Sequence, residues 1–438
     1  MTSPRRRRNE RLKKDLTFVT ALGGQTRQHR YLAHIRYFFW ISLASICLQV
    51  AAYALLVVPS GRINLESLTI ATVAFSVPVV FGSIVMAAFR RHDAPIVSAV
   101  VVFSALFFAM VTVISATRMP ISYAALVICG TIGVFLACAA NYRFHSMGGD
   151  KVRVMPFTGA EAVSARIPGS SILSAKELQS GPDAIDFDVL LINENSYKTA
   201  EWAEFIARMH ILGIDIIPAD SFLERISGSV NVDKFELFHI VYSPSQLLYA
   251  RVKRYFDLAF VMLMAPLLLL ISLFAAAYIY LRDPGPVLFV QIRRGFGNRP
   301  FRMYKFRTMY QGTAGGSTIA GDKRIIPGCT ILRKFRIDEI PQCFNILIGD
   351  MSLIGPRPVA EYVAKASIRA EPKYAYRCVV PPGITGWAQV TSGYASDVSE
   401  EITKLSYDLY YIKKFSVDMD MIILVKTVRT VLFGSGAK

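Results

Sequence analysis

At 438 residues, with 53% hydrophobic content and a mean hydropathy of +0.39, the chain is too apolar for an ordinary soluble enzyme and long enough for two or three domains. Its formal net charge of +17 fits the Lys- and Arg-rich cytoplasmic flanks of membrane spans, so nucleic acid is set aside as a partner and membrane lipids take its place. The six cysteines show no CxxC pair and no metal-ligand spacing, and read as reduced packing residues.

Residues 1–36 open with Arg5, Arg6, Arg7 and Arg8 and predict a basic, flexible cytoplasmic tail without the early apolar core of a secretory signal. Four apolar stretches follow, Tyr37 to Val58, Leu68 to Phe89, Pro95 to Thr117 and Ile121 to Asn141, each near the ~20 residues a spanning helix needs. They predict a four-helix transmembrane anchor over 37–145. Arg90, Arg91 and His92 in its second connection, with Arg143, Lys151 and Arg153 after its last span, place both ends of the anchor on the cytoplasmic side.

From 150 to 245 the composition turns soluble. Strand candidates at Val152 to Phe157, Asp188 to Ile192 and Ile214 to Ile217, with a helix over Lys198 to Leu212, predict a small Rossmann-like α/β domain with a parallel sheet. Phe157-Thr158-Gly159-Ala160 follows the first strand in place of a GxGxxG, which favours a structural or regulatory role over a dinucleotide site.

The next stretch, Leu258 to Leu281, is apolar enough to span. Yet Arg251, Lys253 and Arg254 precede it and Arg282, Arg293 and Arg294 follow it, so both flanks read as cytoplasmic. Pro266 lies inside and removes a backbone hydrogen bond, which bends a helix. The expectation is a re-entrant membrane helix over about 255–282, with an ordinary fifth span as the alternative. Beyond Asp283 the pattern predicts short cation-lined strands, a flexible loop from Gly312 to Gly321, a helix over Tyr407 to Lys414 and an amphipathic helix over Val417 to Phe433.

Chemistry concentrates between Leu332 and Pro358. Asp338 and Glu339 sit between Arg333, Lys334 and Arg336 on one side and Gly355-Pro356-Arg357-Pro358 on the other. Pro341, with Ile340, Phe344 and Leu347 at helical spacing, puts the two acids at or just before a helix N-terminus. Acids flanked by fixed cations point to a phosphate with a metal ion. A plain helix cap is the alternative for Asp338, and a solvated helix charge for Arg333.

The segments Lys253-Arg254-Tyr255-Phe256-Asp257, Lys305-Phe306-Arg307-Thr308-Met309, Asp338-Glu339-Ile340-Pro341-Gln342, Gly349 to Pro358 and Pro382 to Val390 resemble, in that order, the bacterial sugar transferase family. Its members are monotopic polyprenyl-phosphate sugar-1-phosphate transferases that begin exopolysaccharide and O-antigen assembly. The resemblance covers residues 250–438 and implies a catalytic domain there. It implies Asp338 as nucleophile, Glu339 as ligand of Mg²⁺, and Arg333, Arg357, Lys305, Arg307 and Arg324 as phosphate-binding residues. It also implies a UDP-hexose donor, UDP-glucose or UDP-galactose, with undecaprenyl phosphate as acceptor at a bacterial inner membrane. Homo-oligomerisation stays open. The chain departs from the family pattern at Ile326 and at Thr391 to Tyr394, where a hydroxyl and an Arg-containing element are usual. A non-catalytic membrane scaffold for polysaccharide assembly is the rival reading.

Overall fold

The structure is a computed structural model that describes residues 25–58, 65–88, 95–146, 151–174, 187–193, 200–211, 214–312, 322–392 and 398–433. Most of the basic tail, the connection holding Arg90 to His92, nearly all of the Gly312 to Gly321 loop and Gly393-Tyr394 lie outside the described residues. The chain divides into two units, Met1–Leu223 and Glu224–Lys438.

The first unit opens with four long helices, α1 (Gln25–Val57), α2 (Leu65–Ala88), α3 (Pro95–Ala116) and α4 (Tyr123–Ser146). Each is long and apolar enough to cross a membrane. Their apolar residues run around the whole helix, so the helices can pack on one another and still present hydrocarbon outward. Tyr53, Phe75, Phe107 and Leu126 are buried in the bundle, while Trp40, Leu55 and Phe135 face out, an arrangement suited to lipid. Gly133 of α4 leaves room for the buried Gln49 amide of α1, and Ser42 hydrogen-bonds Ser83 at 3.2 Å between α1 and α2.

The same unit contains a four-stranded parallel sheet in the order β2-β1-β3-β4, from β1 (Val152–Val154), β2 (Ser171–Ile172), β3 (Val189–Ile192) and β4 (Asp215–Pro218). The period-two alternation of β3 decides its packing. Val189 and Leu191 join Ala160 of α5 (Ala160–Ala165) and Phe222 of α7 (Ala219–Ser227) on one face. Leu190 joins Phe205 and Met209 of α6 (Ala200–Ile211) on the other. The strand expected to reach Phe157 ends at Val154, just before Pro156, which has no N–H to give a ladder.

In the second unit, residues 224–243, which the sequence reading gave to the α/β domain, pack into another core. Val230 and Phe235 lie with Tyr374, Leu405, Leu409 and Tyr411, and the Trp387 indole donates to the Gly228 carbonyl at 2.6 Å.

Helix α8 (Pro244–Arg282) starts with a capping box between Ser243 and Gln246 and continues through Pro266. Tyr249, Lys253, Asp257 and Val261 form a buried i, i+4 stripe, Ala275 and Ile279 are buried further on, and Leu263, Leu267, Leu270 and Leu273 between them are exposed. Both ends are fastened to the same unit. Lys253 pairs with buried Asp420 of α14 (Val417–Phe433), which also accepts from Tyr249 and Tyr411. Arg254 donates to the Ile346 and Leu347 carbonyls at the end of α10 (Gln342–Ile348), and Asp257 accepts from Ser352 at 2.6 Å. At the other end Tyr278 donates to the Pro327 carbonyl at 3.2 Å, and Arg307 pairs with Asp283.

Strands β5 (Leu288–Arg294) and β6 (Pro300–Phe306) form an antiparallel pair. Val261 shares a cluster with Met303 of β6, and Ile279 shares one with Phe306, three residues along the same strand. A straight helix would hold Val261 and Ile279 about 27 Å apart, whereas three residues of strand cover about 10 Å. A second, parallel pair joins β7 (Ser352–Ile354) to β8 (Gly383–Thr385). Its strands meet where only glycine fits: a Cβ on Gly355 would lie 2.3 Å from the Pro381 carbonyl, and one on Gly383 would lie 2.1 Å from the Gly355 nitrogen.

Replacing Lys253 by Met leaves Asp420 buried without its cation and is expected to cost about 3–5 kcal/mol. Thermal unfolding of the purified protein in nanodiscs reads the loss, and Asp420→Asn added to Lys253→Met recovers most of it.

Candidate active site

The two acids lie on a 3₁₀ turn, Ile337–Glu339, between α9 (Cys329–Lys334) and α10. Arg336 enters the turn with φ of 60°, a left-handed conformation costly for a side-chain-bearing residue, and this reverses the chain ahead of Asp338 and Glu339. Pro341 caps α10, as its fixed φ suits. Because α10 has only seven residues, the field at the acids comes from side-chain cations more than from a helix dipole.

Those cations arrive from separate segments. Glu339, 5% exposed, has one oxygen, Oε1, at 2.7 Å from Arg357, 3.2 Å from Lys305 and 3.7 Å from Arg336. Lys305 comes from β6, whose position is fixed by Asn345 of α10: the Asn345 amide donates to the Arg302 carbonyl at 2.6 Å and accepts from the Tyr304 N–H at 3.1 Å. Arg357 comes from the loop after β7, which the glycine-lined contact with β8 holds in place.

Burial works against ionisation of Glu339, but Arg357, Lys305 and Arg336 outweigh it and hold its carboxyl well below the usual range. Asp338 goes the other way. Burial, then the charge of Glu339, raise it against the pull of Lys305, Arg333 and Arg336, and its Oδ1 is buried with no hydrogen-bond partner among the described residues. Burial pushes Lys305 down to about 8, with Glu339 opposing. The result is one firmly ionised carboxylate, one more basic carboxylate with an unengaged oxygen, and a positive surround.

Not every expected cation joins this group. Arg333 reaches Thr308 at 3.4 Å and contributes to the field at Asp338. Arg307 is buried against Asp283, where it fastens the end of α8. Arg324 forms a two-pronged pair with Asp322 in its own loop, with Nη2 at 2.6 Å and Nε at 2.9 Å. Arg293 was missed by sequence reasoning. Burial and the nearby Arg357 push it down to about 10, while Glu339 pulls it up, and it donates to the Pro358 carbonyl at 3.3 Å. Strand alternation carried the signal, since it turns Arg293 and Arg294 to opposite sides of β5.

Among the described residues no group of three or more His, Cys, Asp or Glu converges as a ready metal cage. The donor chemistry still suits Mg²⁺. Two adjacent carboxylates without His or Cys, one of them the firmly ionised Glu339, fit a hard cation that keeps several waters and takes its other ligands from phosphates.

The family described as bacterial sugar transferase matches residues 248–434. The chain is 41% identical over 262 residues to the UDP-N-acetylgalactosamine-undecaprenyl-phosphate N-acetylgalactosaminephosphotransferase of Aeromonas hydrophila, which covers 58% of this chain and 61% of that protein. It is 38% identical over 187 residues to the uncharacterized sugar transferase EpsL of Bacillus subtilis, covering 42% of this chain and 89% of EpsL. With the undecaprenyl-phosphate glucose phosphotransferase of Komagataeibacter xylinus it shares 40% identity over 195 residues, 42% of this chain and 36% of that one. The chain thus spans less than two thirds of the Aeromonas and Komagataeibacter proteins.

Glu339→Gln removes the group that holds the charge on Lys305, so the Lys305 pKa is expected to fall below about 8. The pH dependence of Lys305 labelling by an amine-selective reagent, read by mass spectrometry, checks this.

Proposed function

Because the chain belongs to the bacterial sugar transferase family, we propose that it moves a sugar-1-phosphate from a UDP-sugar to undecaprenyl phosphate at the cytoplasmic face of a bacterial inner membrane. That transfer would begin an exopolysaccharide or O-antigen repeat unit. A carboxylate oxygen of Asp338 attacks the sugar-side phosphorus, the bond to the leaving phosphate breaks, and UMP departs with the electron pair. An oxygen of the lipid phosphate then attacks the same phosphorus and displaces Asp338 as a carboxylate.

The observation that carries this reading is the pairing of opposites in one turn: the buried, unengaged Asp338 Oδ1 beside a Glu339 kept ionised by Arg357, Lys305 and Arg336. A raised carboxyl is the more basic nucleophile, and the cations meet charge on the non-bridging oxygens. Glu339 would hold Mg²⁺, which supplies neutralisation of the leaving phosphate. Lys305, Arg333 and Arg357 are the proposed phosphate contacts, joined by Arg336 and Arg293, while Arg307 braces the end of α8. Pro266 is the proposed bend of a re-entrant α8, supported by the attachment of both helix ends to one unit and by the short span of β6 between their clusters. The names of the relatives point to N-acetylgalactosamine and glucose as donor sugars to test, beside the galactose expected from the sequence.

Membranes incubated with radiolabelled UDP-N-acetylgalactosamine, UDP-glucose or UDP-galactose and undecaprenyl phosphate should yield labelled lipid with one of them. Asp338→Asn should lower the rate by at least about 10³-fold. Full activity in that variant would remove Asp338 as nucleophile, and intact polymer with both Asp338→Asn and Glu339→Gln would favour a scaffold. Transfer should also fall above pH of about 8 as Lys305 loses its proton, and Lys305→Arg should abolish that alkaline limb. A cysteine introduced at Leu281 should resist labelling from outside the cell, and clear labelling would make α8 a span.

A further inference from the structure

Arg357 lies between two prolines in a loop, and a loop holds a phosphate-binding side chain only as firmly as its own backbone is held. The Arg357 carbonyl accepts a hydrogen bond at 3.0 Å from Nη2 of Arg377. Arg377 is 6% exposed and sits on the 3₁₀ helix Pro372–Val379. Its guanidinium lies 2.7 Å from Asp408 and 3.4 Å from Glu401, both on α13 (Val398–Lys413), and it donates to the Tyr374 hydroxyl, which donates to Glu401 at 2.7 Å. One buried cation therefore ties a helix with two carboxylates to the backbone of a site arginine.

Mere cohesion does not account for it. The contact between α13 and the 3₁₀ helix already has an apolar core of Leu405, Leu409, Tyr411 and Ile412 with Tyr374. A buried ion pair adds little stability over an apolar replacement of the same volume, whereas it fixes direction well. We infer that Arg377 is a positioning residue: held by Asp408 and Glu401 of α13, it fixes the Arg357 backbone so that the Arg357 guanidinium meets Glu339 and the diphosphate of the substrate. This rests on the reading of the site as one for a nucleotide sugar.

The network gives the arrangement a pH signature. Burial pushes Asp408 up to about 6 against the pull of Arg377 and Lys404, with Glu401 adding to the rise. The groups facing it are Tyr374, Arg377 and Cys378 from the 3₁₀ helix and Glu401 and Lys404 from α13. Below that pH Asp408 loses its charge and Arg377 loses a partner. A carboxyl raised above its ordinary value favours the folded state more as pH falls through about 6, so weaker substrate binding there would not reflect unfolding driven by this group.

The test uses the full-length protein in nanodiscs with UDP-glucose and UDP-N-acetylgalactosamine as probes, by calorimetry between pH of about 5.5 and 7.5, on either side of the raised Asp408 value of about 6 and above the ordinary carboxyl range. Wild-type affinity should fall on acidification. Asp408→Asn, which keeps the volume, should bind about tenfold more weakly at neutral pH, roughly the loss of one charge-assisted contact, with that part of the pH dependence gone. Arg377→Gln should behave alike and add little to Arg357→Gln. Phenylglyoxal labelling of Arg357, followed by mass spectrometry, gives a second readout that needs no ligand: it should speed up in Asp408→Asn and Arg377→Gln. Unchanged affinity and unchanged labelling in both variants, or fully additive losses with Arg357→Gln, would overturn the inference. Faster labelling in a protein that binds neither probe would uphold the positioning role while sinking the nucleotide-sugar reading.

Discussion

Glu339 Oε1 is the point on which the site depends. A buried carboxylate is costly to desolvate, and here the cost is offset by cations from three places: Lys305 from β6, Arg357 from the loop after β7, and Arg336 from the entry to the turn itself. Each cation in turn is buried or half-buried and needs the carboxylate. Because the partners are far apart in sequence, the charge cluster forms only once β6, α10 and the β7–β8 pair have assembled. Asp338, one residue away, takes no share in these contacts and is left with a basic, unengaged oxygen in a positive field.

The scaffold around this point joins a long apolar helix to the two acids. The leucines in the middle of α8 are exposed, while charged and polar residues at its two ends are buried and paired. Lys253, Arg254 and Asp257 bind α14, α10 and β7 in turn, so the helix start is tied to the element that follows the acids. Arg307 does the same for the helix end. The apolar segment and the turn that carries the two acids are thereby parts of one packed unit.

Much of this was legible in the sequence where the signal was local. The helix Val417–Phe433 has the expected bounds, since its apolar face repeats every three to four residues, and the alternating strands and helices of the small parallel sheet follow from short apolar runs between turn residues. The acids appeared at a turn before Pro341 because proline marks a helix start from sequence alone. Long-range pairing was not legible. Arg307 and Arg324 look like site cations in the sequence, but Asp283 and Asp322 take them, while Arg293 and Arg377 look like ordinary surface charges and are drawn inward by packing. The stretch 224–243 reads as a continuation of the α/β domain because its composition does not change; only tertiary contacts through Gly228, Val230 and Phe235 assign it to the second unit.

In the proposed reaction Asp338, and not its neighbour, bonds to phosphorus. The direct measurement is to mix the full-length protein in nanodiscs with UDP-sugar in the absence of lipid phosphate, quench with borohydride, which reduces an aspartyl phosphate to homoserine, and map the product by mass spectrometry. Conversion is expected at Asp338, dependent on the UDP-sugar and absent at Glu339. Turnover to lipid product with no modification at Asp338, or with the adduct on another residue, would contradict it.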